Sequence, residues 1–279
     1  MAKYATDFTE YTAGGKPSDW TLESSGNDDF LIRSEMADPR YGGKCLYRSV
    51  SSRERDAIVC PLPESVDAHV IAAVRYIDYK STSLGLGPCA RLTGTSRSDV
   101  SAVMLQLRSG EAQLGHYING SYSNIATESF TPDLDRTLWM ELLLEGGEAK
   151  ARYWYDNEDK PEAWNLSGAS ALNQPGKLGL FGFTDAPNSV HFFAASNSPA
   201  ADGFGLGEIQ GHVTEAGEGV SRKVRVYRAD NGHPVAEGLS EADGSYRLSE
   251  IPQRTGYFVH LVPDEGEEPR THGPVWVTV

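Results

Sequence analysis

LWMELLLEGGEAKARYWY, the stretch Leu138–Tyr155, decides the fold class of this chain. Two strand-like runs flank Gly146-Gly147, and adjacent glycines supply the positive φ angles that a tight two-residue hairpin turn needs. When the runs are folded back on this turn, Leu144 opposes Ala149 on a continuous apolar face. The stretch therefore predicts a β-hairpin with one face against a hydrophobic core.

The second face of the predicted hairpin is mostly polar, yet it carries two large rings. On this face Glu141 opposes Arg152, and Trp139 opposes Trp154. Alternation of apolar and polar positions is typical of an antiparallel sheet with one buried and one solvated side. We therefore expect the hairpin to belong to a β-sandwich with one wet face.

The rest of the chain favours strands over helices. The longest apolar run, Ala68–Tyr79, is rich in β-branched and aromatic residues, which indicates a central strand. Asn119-Gly120 is the strongest short hairpin signal, and it places Tyr117 opposite Tyr122 on an outer face. His116 precedes Tyr117 on its strand and therefore falls on the inner face. About a dozen short strands without an amphipathic helix predict an all-β chain.

A segment of small, polar and glycine-rich residues, 195–207, separates two parts of the chain. We predict a larger β-domain at residues 1–198, a linker at 199–207 and a smaller β-domain at 208–279. The length of 279 residues suffices for one large or two ordinary domains, which agrees with this division.

The formal net charge of the chain is −14. Recognition of nucleic-acid phosphates needs clustered Lys and Arg, so this charge argues against a nucleic-acid partner and disfavours an anionic membrane surface. The N-terminal sequence MAKYATDFTEY has no apolar segment of a signal peptide, and no apolar run approaches transmembrane length. We therefore expect synthesis in a cytoplasm and no membrane insertion.

The chain has three cysteines, Cys45, Cys60 and Cys89. Their odd number and the absence of a CxxC motif argue against a disulfide framework or a zinc site. We predict that they are buried or half-buried free thiols.

Several motifs within residues 7–194 resemble the concanavalin A-like, laminin-G-like jelly rolls. They are the opening DF…Y…PSDW, the strand GGKCLYRS, the meander LQLRSGEAQLGHYINGSYSNIA, the hairpin quoted above with its following PEAWNL, and the closing GKLGLFGF. The resemblance implies that the larger domain is a jelly-roll sandwich.

The stretch SEADGSYRLSEIPQRTGYFVHLV, Ser240–Val262, resembles the carboxypeptidase regulatory-like, transthyretin-type β-sandwich. The residues themselves agree with a strand after a turn, because Asp243-Gly244 suits the turn and Tyr246 and Leu248 alternate towards a core. The resemblance implies a small immunoglobulin/transthyretin-like accessory domain without catalysis of its own.

The pairing of these two domains without a signal peptide is similar to virion structural proteins of tailed bacteriophages. The similarity implies a non-enzymatic component of a tail, tail fibre, baseplate or capsid decoration that contributes to host-surface attachment. It also implies other virion proteins and further copies of the chain as partners, and the virion as location after synthesis in the host cytoplasm.

Motifs that would indicate an enzyme are missing. Jelly-roll glycoside hydrolases need two carboxylates about 5–10 Å apart, whereas Glu141 and Glu145 lie roughly 13 Å apart along one strand. Glu64 and Asp67 flank a proline-bounded loop and lack a third acid. The sequence has no G-x-S-x-G, H-E-x-x-H, P-loop or dinucleotide-binding motif, so we expect neither catalysis nor a cofactor.

The outward rings are the candidate ligand-binding residues. Trp139, Trp154, Tyr117 and Tyr122 would form a platform on which sugar rings stack. The alternative is that a second sheet or a neighbouring subunit covers them, because large aromatic residues are usually buried. Carbohydrate binding by an adhesin or lectin is thus the alternative function to a virion component, and a glycan hydrolase ranks below both.

Two acidic loops have the composition of a calcium site, but they equally suit solvated turns. One contains Asp156, Glu158 and Asp159, and the other contains Asp28-Asp29. We therefore predict no bound metal.

Overall fold

The computed structural model of the chain is all-β, which confirms the predicted fold class. No helix in the part of the chain that it describes is long and apolar enough to cross a membrane. The described residues are 2–23, 30–35, 41, 43–48, 56–77, 84–94, 96, 98–108, 110–134, 136–156, 158–183, 187–199, 206–229, 232, 234–252, 256–262 and 270–276.

The chain divides into two compact units. Unit 1 comprises Met1–Ala37 and Lys44–Asp202, and unit 2 comprises Asp38–Gly43 and Gly203–Val279. The assignment of residues 199–207 as a linker stays a prediction.

Unit 1 contains fifteen strands among its described residues. They are β1 (Lys3–Thr6), β2 (Thr21–Leu22), β3 (Phe30–Arg33), β4 (Cys45–Arg48), β5 (Asp56–Val59), β6 (Ala68–Tyr76), β7 (Leu84–Thr93), β8 (Ser101–Arg108), β9 (Glu111–Ile118), β10 (Ser121–Ser129), β11 (Leu138–Glu145), β12 (Glu148–Tyr155), β13 (Leu166–Ala169), β14 (Lys177–Phe183) and β15 (Asn188–Ser196).

These strands form two antiparallel sheets. The eight-stranded sheet has the order β13-β12-β11-β6-β15-β4-β3, with β1 paired to β15. The seven-stranded sheet has the order β10-β9-β8-β7-β14-β5-β2. The predicted central strand is confirmed, since β6 lies in the middle of its sheet between β11 and β15.

The hairpin of β11 and β12 has the predicted register. Leu144 pairs with Ala149 and Trp139 pairs with Trp154. The turn differs from the prediction in one respect: Gly146 has a φ of 56°, whereas the φ of Gly147 lies outside the left-handed range. One glycine with a positive φ is thus enough for this turn.

Apolar side chains from the inner faces of both sheets form the core of unit 1. The eight-stranded sheet contributes residues of β6, β11 and β12, and the seven-stranded sheet contributes residues of β8, β9 and β14. His116 lies on the inner face as predicted and is buried, which lowers its pKa. Fully buried residues of this core include Val70, Ala72, Val74, Met140, Leu142, Leu105, Leu107, Leu114 and Leu180.

Arg91 fixes the hairpin turn to the rest of unit 1 from a buried position. Its φ of 55° falls in the irregular part of β7, and its side chain is fully buried. Its Nε donates to the carbonyl of Val66 at 2.7 Å, and its two terminal nitrogens donate to the carbonyls of Leu172 and Gly146. One guanidinium therefore satisfies three backbone acceptors from three different segments.

The three cysteines are buried free thiols, as predicted. Burial raises the pKa of Cys45 and of Cys60 to about 12, and it also raises the pKa of Cys89. The thiols are therefore protonated and unreactive at neutral pH.

Unit 2 contains eight strands among its described residues. Two-stranded sheets pair β16 with β21 and β17 with β18, and the third sheet has the order β20-β19-β22-β23. The strands are β16 (Leu206–His212), β17 (Thr214–Glu215), β18 (Glu218–Gly219), β19 (Lys223–Arg228), β20 (Pro234–Leu239), β21 (Ser245–Pro252), β22 (Gly256–Leu261) and β23 (Arg270–Trp276).

Unit 2 has its own small hydrophobic core. It includes Ile209, Val226, Tyr257 and, as predicted, Leu248. The predicted turn at Asp243-Gly244 is present, because Gly244 has a φ of 85° and the Asp243 carboxylate accepts a hydrogen bond from the Ser245 amide at 2.9 Å. The transthyretin-type assignment of this unit stays a prediction.

Candidate functional site

The tryptophan pair is buried and does not form an exposed platform. Trp139 and Trp154 stack with ring centroids 6.1 Å apart, but each ring is only 3% exposed. Phe192 packs beside Trp139 at 5.6 Å. The outer face of the eight-stranded sheet therefore offers no open tryptophan platform, in agreement with the alternative that the rings are covered.

The connection between β12 and β13 contacts this outer face beside Trp154. Its Lys160 ammonium lies 5.6 Å from the ring centre of Trp154, and its Trp164 ring packs 4.3 Å below the Arg152 guanidinium. Arg152 also donates to the carbonyl of Pro161 at 2.7 Å. Strand β13 begins only at Leu166, after Trp164 has packed against Arg152.

A buried ion network lies beneath this connection. Glu141 is fully buried and accepts hydrogen bonds from Arg152 Nε at 2.6 Å and from His69 Nε2 at 2.5 Å. Lys160 Nζ lies 3.0 Å from Oε2, the same oxygen that accepts from Arg152 Nε. Strand β6, strand β12 and the connection after β12 thus each place one nitrogen donor around the carboxylate on β11.

This network holds Glu141 ionised and inaccessible. Burial alone would raise the pKa of its carboxyl, but the hydrogen bonds from His69 and Arg152 and the charge of Lys160 outweigh burial and lower the pKa far below its usual 4.5. A general acid must carry a proton near neutral pH, so Glu141 is unsuited to that role. Glu145 is exposed on the same strand and does not join the network.

The second predicted ring pair lies on the outer face of the seven-stranded sheet. Tyr122 pairs with Tyr117 as predicted, with ring centroids 5.0 Å apart, and Phe181 extends the row at 5.6 Å from Tyr117. Tyr117 is only 3% exposed, which agrees with the alternative that the rings are covered, whereas Tyr122 is half-buried. The Tyr122 ring lies over Gly115, where any Cβ would collide with it.

Next to Tyr122, buried amides form a hydrogen-bonded ladder. Gln106 Nε2 donates to Gln113 Oε1 at 3.2 Å, and the Tyr122 hydroxyl donates to the same oxygen at 3.2 Å. Gln113 Nε2 in turn donates to the Glu111 carboxylate at 2.9 Å. Burial raises the pKa of Tyr122, so its hydroxyl remains a donor at neutral pH.

Exposed polar side chains surround this ladder. The strand register places Arg108 opposite Glu111, and Thr127 opposite Gln113. Asn124 lies opposite Gly115 on the same face. The side chains of Arg108, Asn124 and Thr127 make no hydrogen bond or ion pair with other residues in the described ranges. We call this surface the outer-face array: Gln106, Arg108, Glu111, Gln113, Tyr122, Asn124 and Thr127.

The sequence prediction named only Tyr117 and Tyr122 from this surface. A usable signal was present, because the inward alternation of Val103, Leu105 and Leu107 places Gln106 and the neighbouring polar positions outward. The polar residues of the array were therefore missed although the strand pattern locates them.

The acidic loops show no metal centre within the described residues. No group of three or more potential ligands is close enough together to hold an ion there. Glu158 forms an ion pair with Arg136 at 2.8 Å instead. Asp28-Asp29 lies outside the described residues.

A scan against protein-family models and a search of curated proteins both give no match. Solved structures do show similarity. Carbohydrate binding module CBM66 from Bacillus subtilis matches with 13% identity and a TM-score of 0.46, over 67% of this chain and 99% of the module. A Bacillus subtilis protein of unknown function with a galectin-like fold has 13% identity and a TM-score of 0.47, and the match covers 64% of this chain and 89% of that protein.

The potassium-bound carbohydrate recognition domain of Emp46p is a further similar structure. It has 13% identity and a TM-score of 0.43, with 65% of this chain and 89% of that domain covered. At such identities the likeness concerns the fold alone, and with TM-scores below 0.5 we draw no functional conclusion from it.

Proposed function

We propose that this chain is a non-catalytic carbohydrate-binding module and that the outer-face array is its sugar-binding surface. The observation that carries this proposal is the set of exposed polar side chains, Arg108, Asn124 and Thr127, that have no partner among the described residues. Sugar hydroxyls both donate and accept hydrogen bonds, and guanidinium, amide and hydroxyl groups complement them. The half-buried ring of Tyr122 adds an apolar surface for the C–H groups of a sugar.

The array favours a neutral glycan over an acidic one. Arg108 is accompanied by the carboxylate of Glu111, so the surface has no excess of positive charge. The net charge of −14 of the whole chain also repels polyanions. We therefore propose a neutral cell-surface glycan as ligand, as an adhesin or lectin would use.

Loss of two of the three exposed polar side chains, those of Arg108 and Asn124, is expected to weaken glycan binding. The double variant Arg108→Ala/Asn124→Ala removes hydrogen-bonding groups that have no structural partners, so its stability should equal that of the wild type. A screen of immobilised neutral glycans first identifies the glycan that the wild type binds best. The Kd of the double variant for that glycan should rise at least about tenfold. Isothermal titration calorimetry on the full chain measures this change.

Ser123→Ala is the matched control, because Ser123 is exposed on the same strand but pairs with His116 outside the array. Its Kd should stay unchanged. No release of reducing ends is expected when the full chain is incubated with the bound glycan. Unchanged affinity of the double variant, or sugar release, would contradict the proposal.

Attachment of this module to a virion stays a prediction from the sequence resemblance. It requires that the chain co-purifies with particles from the source culture at a fixed copy number, as measured by quantitative mass spectrometry. If the chain is found only free or on cells, the virion role is wrong and a free adhesin remains.

A further inference from the structure

A pocket of about 630 Å³ lies in unit 2 beside β16 and β21. Its lining includes Gln210 from β16, Leu239 from the end of β20, Glu241 from the turn after it, and Tyr246 and Arg247 from β21. Its volume lies within the roughly 300–1,000 Å³ typical of small-molecule sites. All of these residues belong to unit 2, so the pocket is separate from the outer-face array in unit 1.

Three polar side chains of this pocket have no hydrogen-bonding partner among the described residues. The side chains of Gln210, Glu241 and Tyr246 form no hydrogen bond or ion pair with other residues that the structure describes. Burial raises the pKa of Tyr246, so its hydroxyl stays protonated and can donate. An amide, a carboxylate and a phenol together provide both donors and acceptors for a hydroxyl-rich ligand.

The pocket also has an apolar side. Leu239 is 69% exposed, although most leucines of this chain are buried in its cores. The half-buried Tyr246 ring lines the same pocket. A ligand with a C–H face and a hydroxyl rim, such as a pyranose ring, would cover this apolar surface and also meet the polar groups.

The charges near the pocket disfavour an anion. Arg247 contributes a guanidinium to the pocket lining, and its Nε lies 3.4 Å from the Glu208 carboxylate. Glu241 and the nearby Asp243 add two further acids, and the hydrogen bonds from Ser245 lower the pKa of Asp243. Phosphate or uronate groups would therefore meet more negative than positive charge.

We propose that unit 2 carries a second, independent binding site for a neutral saccharide in this pocket. The site does not depend on the outer-face array, so either one can be lost without the other. With both sites present, the chain would hold a polysaccharide at two points, which raises its apparent affinity beyond that of either site.

The test uses the full chain carrying Arg108→Ala/Asn124→Ala, so that binding at the outer-face array is weakened. Maltotriose, cellotriose, mannotriose and xylotriose serve as neutral probes, and trigalacturonate serves as the acidic probe. Calorimetry and saturation-transfer NMR should detect one remaining site for a neutral probe. Leu239→Ser and Tyr246→Phe should each weaken that binding about fivefold to tenfold.

Glu241→Gln should also weaken binding, whereas Glu218→Gln is the matched control, because Glu218 is exposed in the same unit and does not line the pocket. The proposal is overturned if no neutral probe binds, if trigalacturonate binds better, or if the Leu239 and Tyr246 variants bind as tightly as their parent. If the array itself proves inactive, the same pocket variants measured in the wild-type background still decide this question.

Discussion

Arg91→Ala is expected to lower the unfolding free energy of unit 1 by about 3–5 kcal/mol. Its guanidinium satisfies the carbonyls of Val66, Leu172 and Gly146 while fully buried, so alanine would leave three buried acceptors without their donors. The loss of side-chain volume adds a cavity. Urea unfolding followed by tryptophan fluorescence measures the change, since the reporter pair Trp139 and Trp154 is buried in this unit.

Arg33→Ala is the control for this variant, because the Arg33 side chain is 39% exposed and its ion pair among the described residues is with the exposed Glu35. It should leave the unfolding midpoint nearly unchanged. Arg91→Lys should fall between the two, since one ammonium cannot reproduce the planar fork that reaches three carbonyls. An Arg91→Ala midpoint equal to that of Arg33→Ala would show that water replaces the guanidinium at no cost.

Glu141→Gln is expected to destabilise unit 1 by about 3 kcal/mol at neutral pH. The substitution preserves shape but leaves Arg152 and Lys160 against an uncharged amide. Release of these cations would also loosen the connection over Trp154, so fluorescence should report greater solvent access of that ring. Glu145→Gln, an exposed change on the same strand, serves as control and should have no such effect.

The stability of unit 1 should depend on pH through the same carboxylate. The pKa of Glu141 is lowered in the folded state, so its contribution is fully present above the unfolded value of 4.5. The contribution is lost as the pH falls below 4.5 towards the folded pKa. Wild type should therefore lose stability over this acidic range more steeply than Glu141→Gln, and parallel urea midpoints for the two proteins would contradict the assignment.

The sequence predicts the strands of unit 1 well because their apolar positions repeat with period two. The register of β11 and β12 follows from the alternation and the turn at Gly146, and the meander follows from Asn119-Gly120. Period-two patterns show which side chains share a face. They do not show what covers that face.

The burial of the tryptophan pair illustrates this limit. Trp139 and Trp154 share a face with Arg152, as the pattern predicts, but Phe192 packs beside Trp139, and the connection between β12 and β13 places Lys160 near Trp154. The contact between Arg152 and Trp164 depends on how this connection folds back, and no local pattern encodes that path. The pocket of unit 2 is similar, since Leu239 and Tyr246 line it only after separate strands come together.

The pairing of β1 with β15 also has a consequence for synthesis on the ribosome. Lys3 pairs with Ser196, so the first strand of unit 1 finds its partner only when nearly the whole unit has been translated. Until then, the edge of β1 has no strand to join, and the nascent chain presents open backbone groups. We therefore expect unit 1 to fold late, after its last strand has left the exit tunnel, and to need protection from aggregation up to that moment.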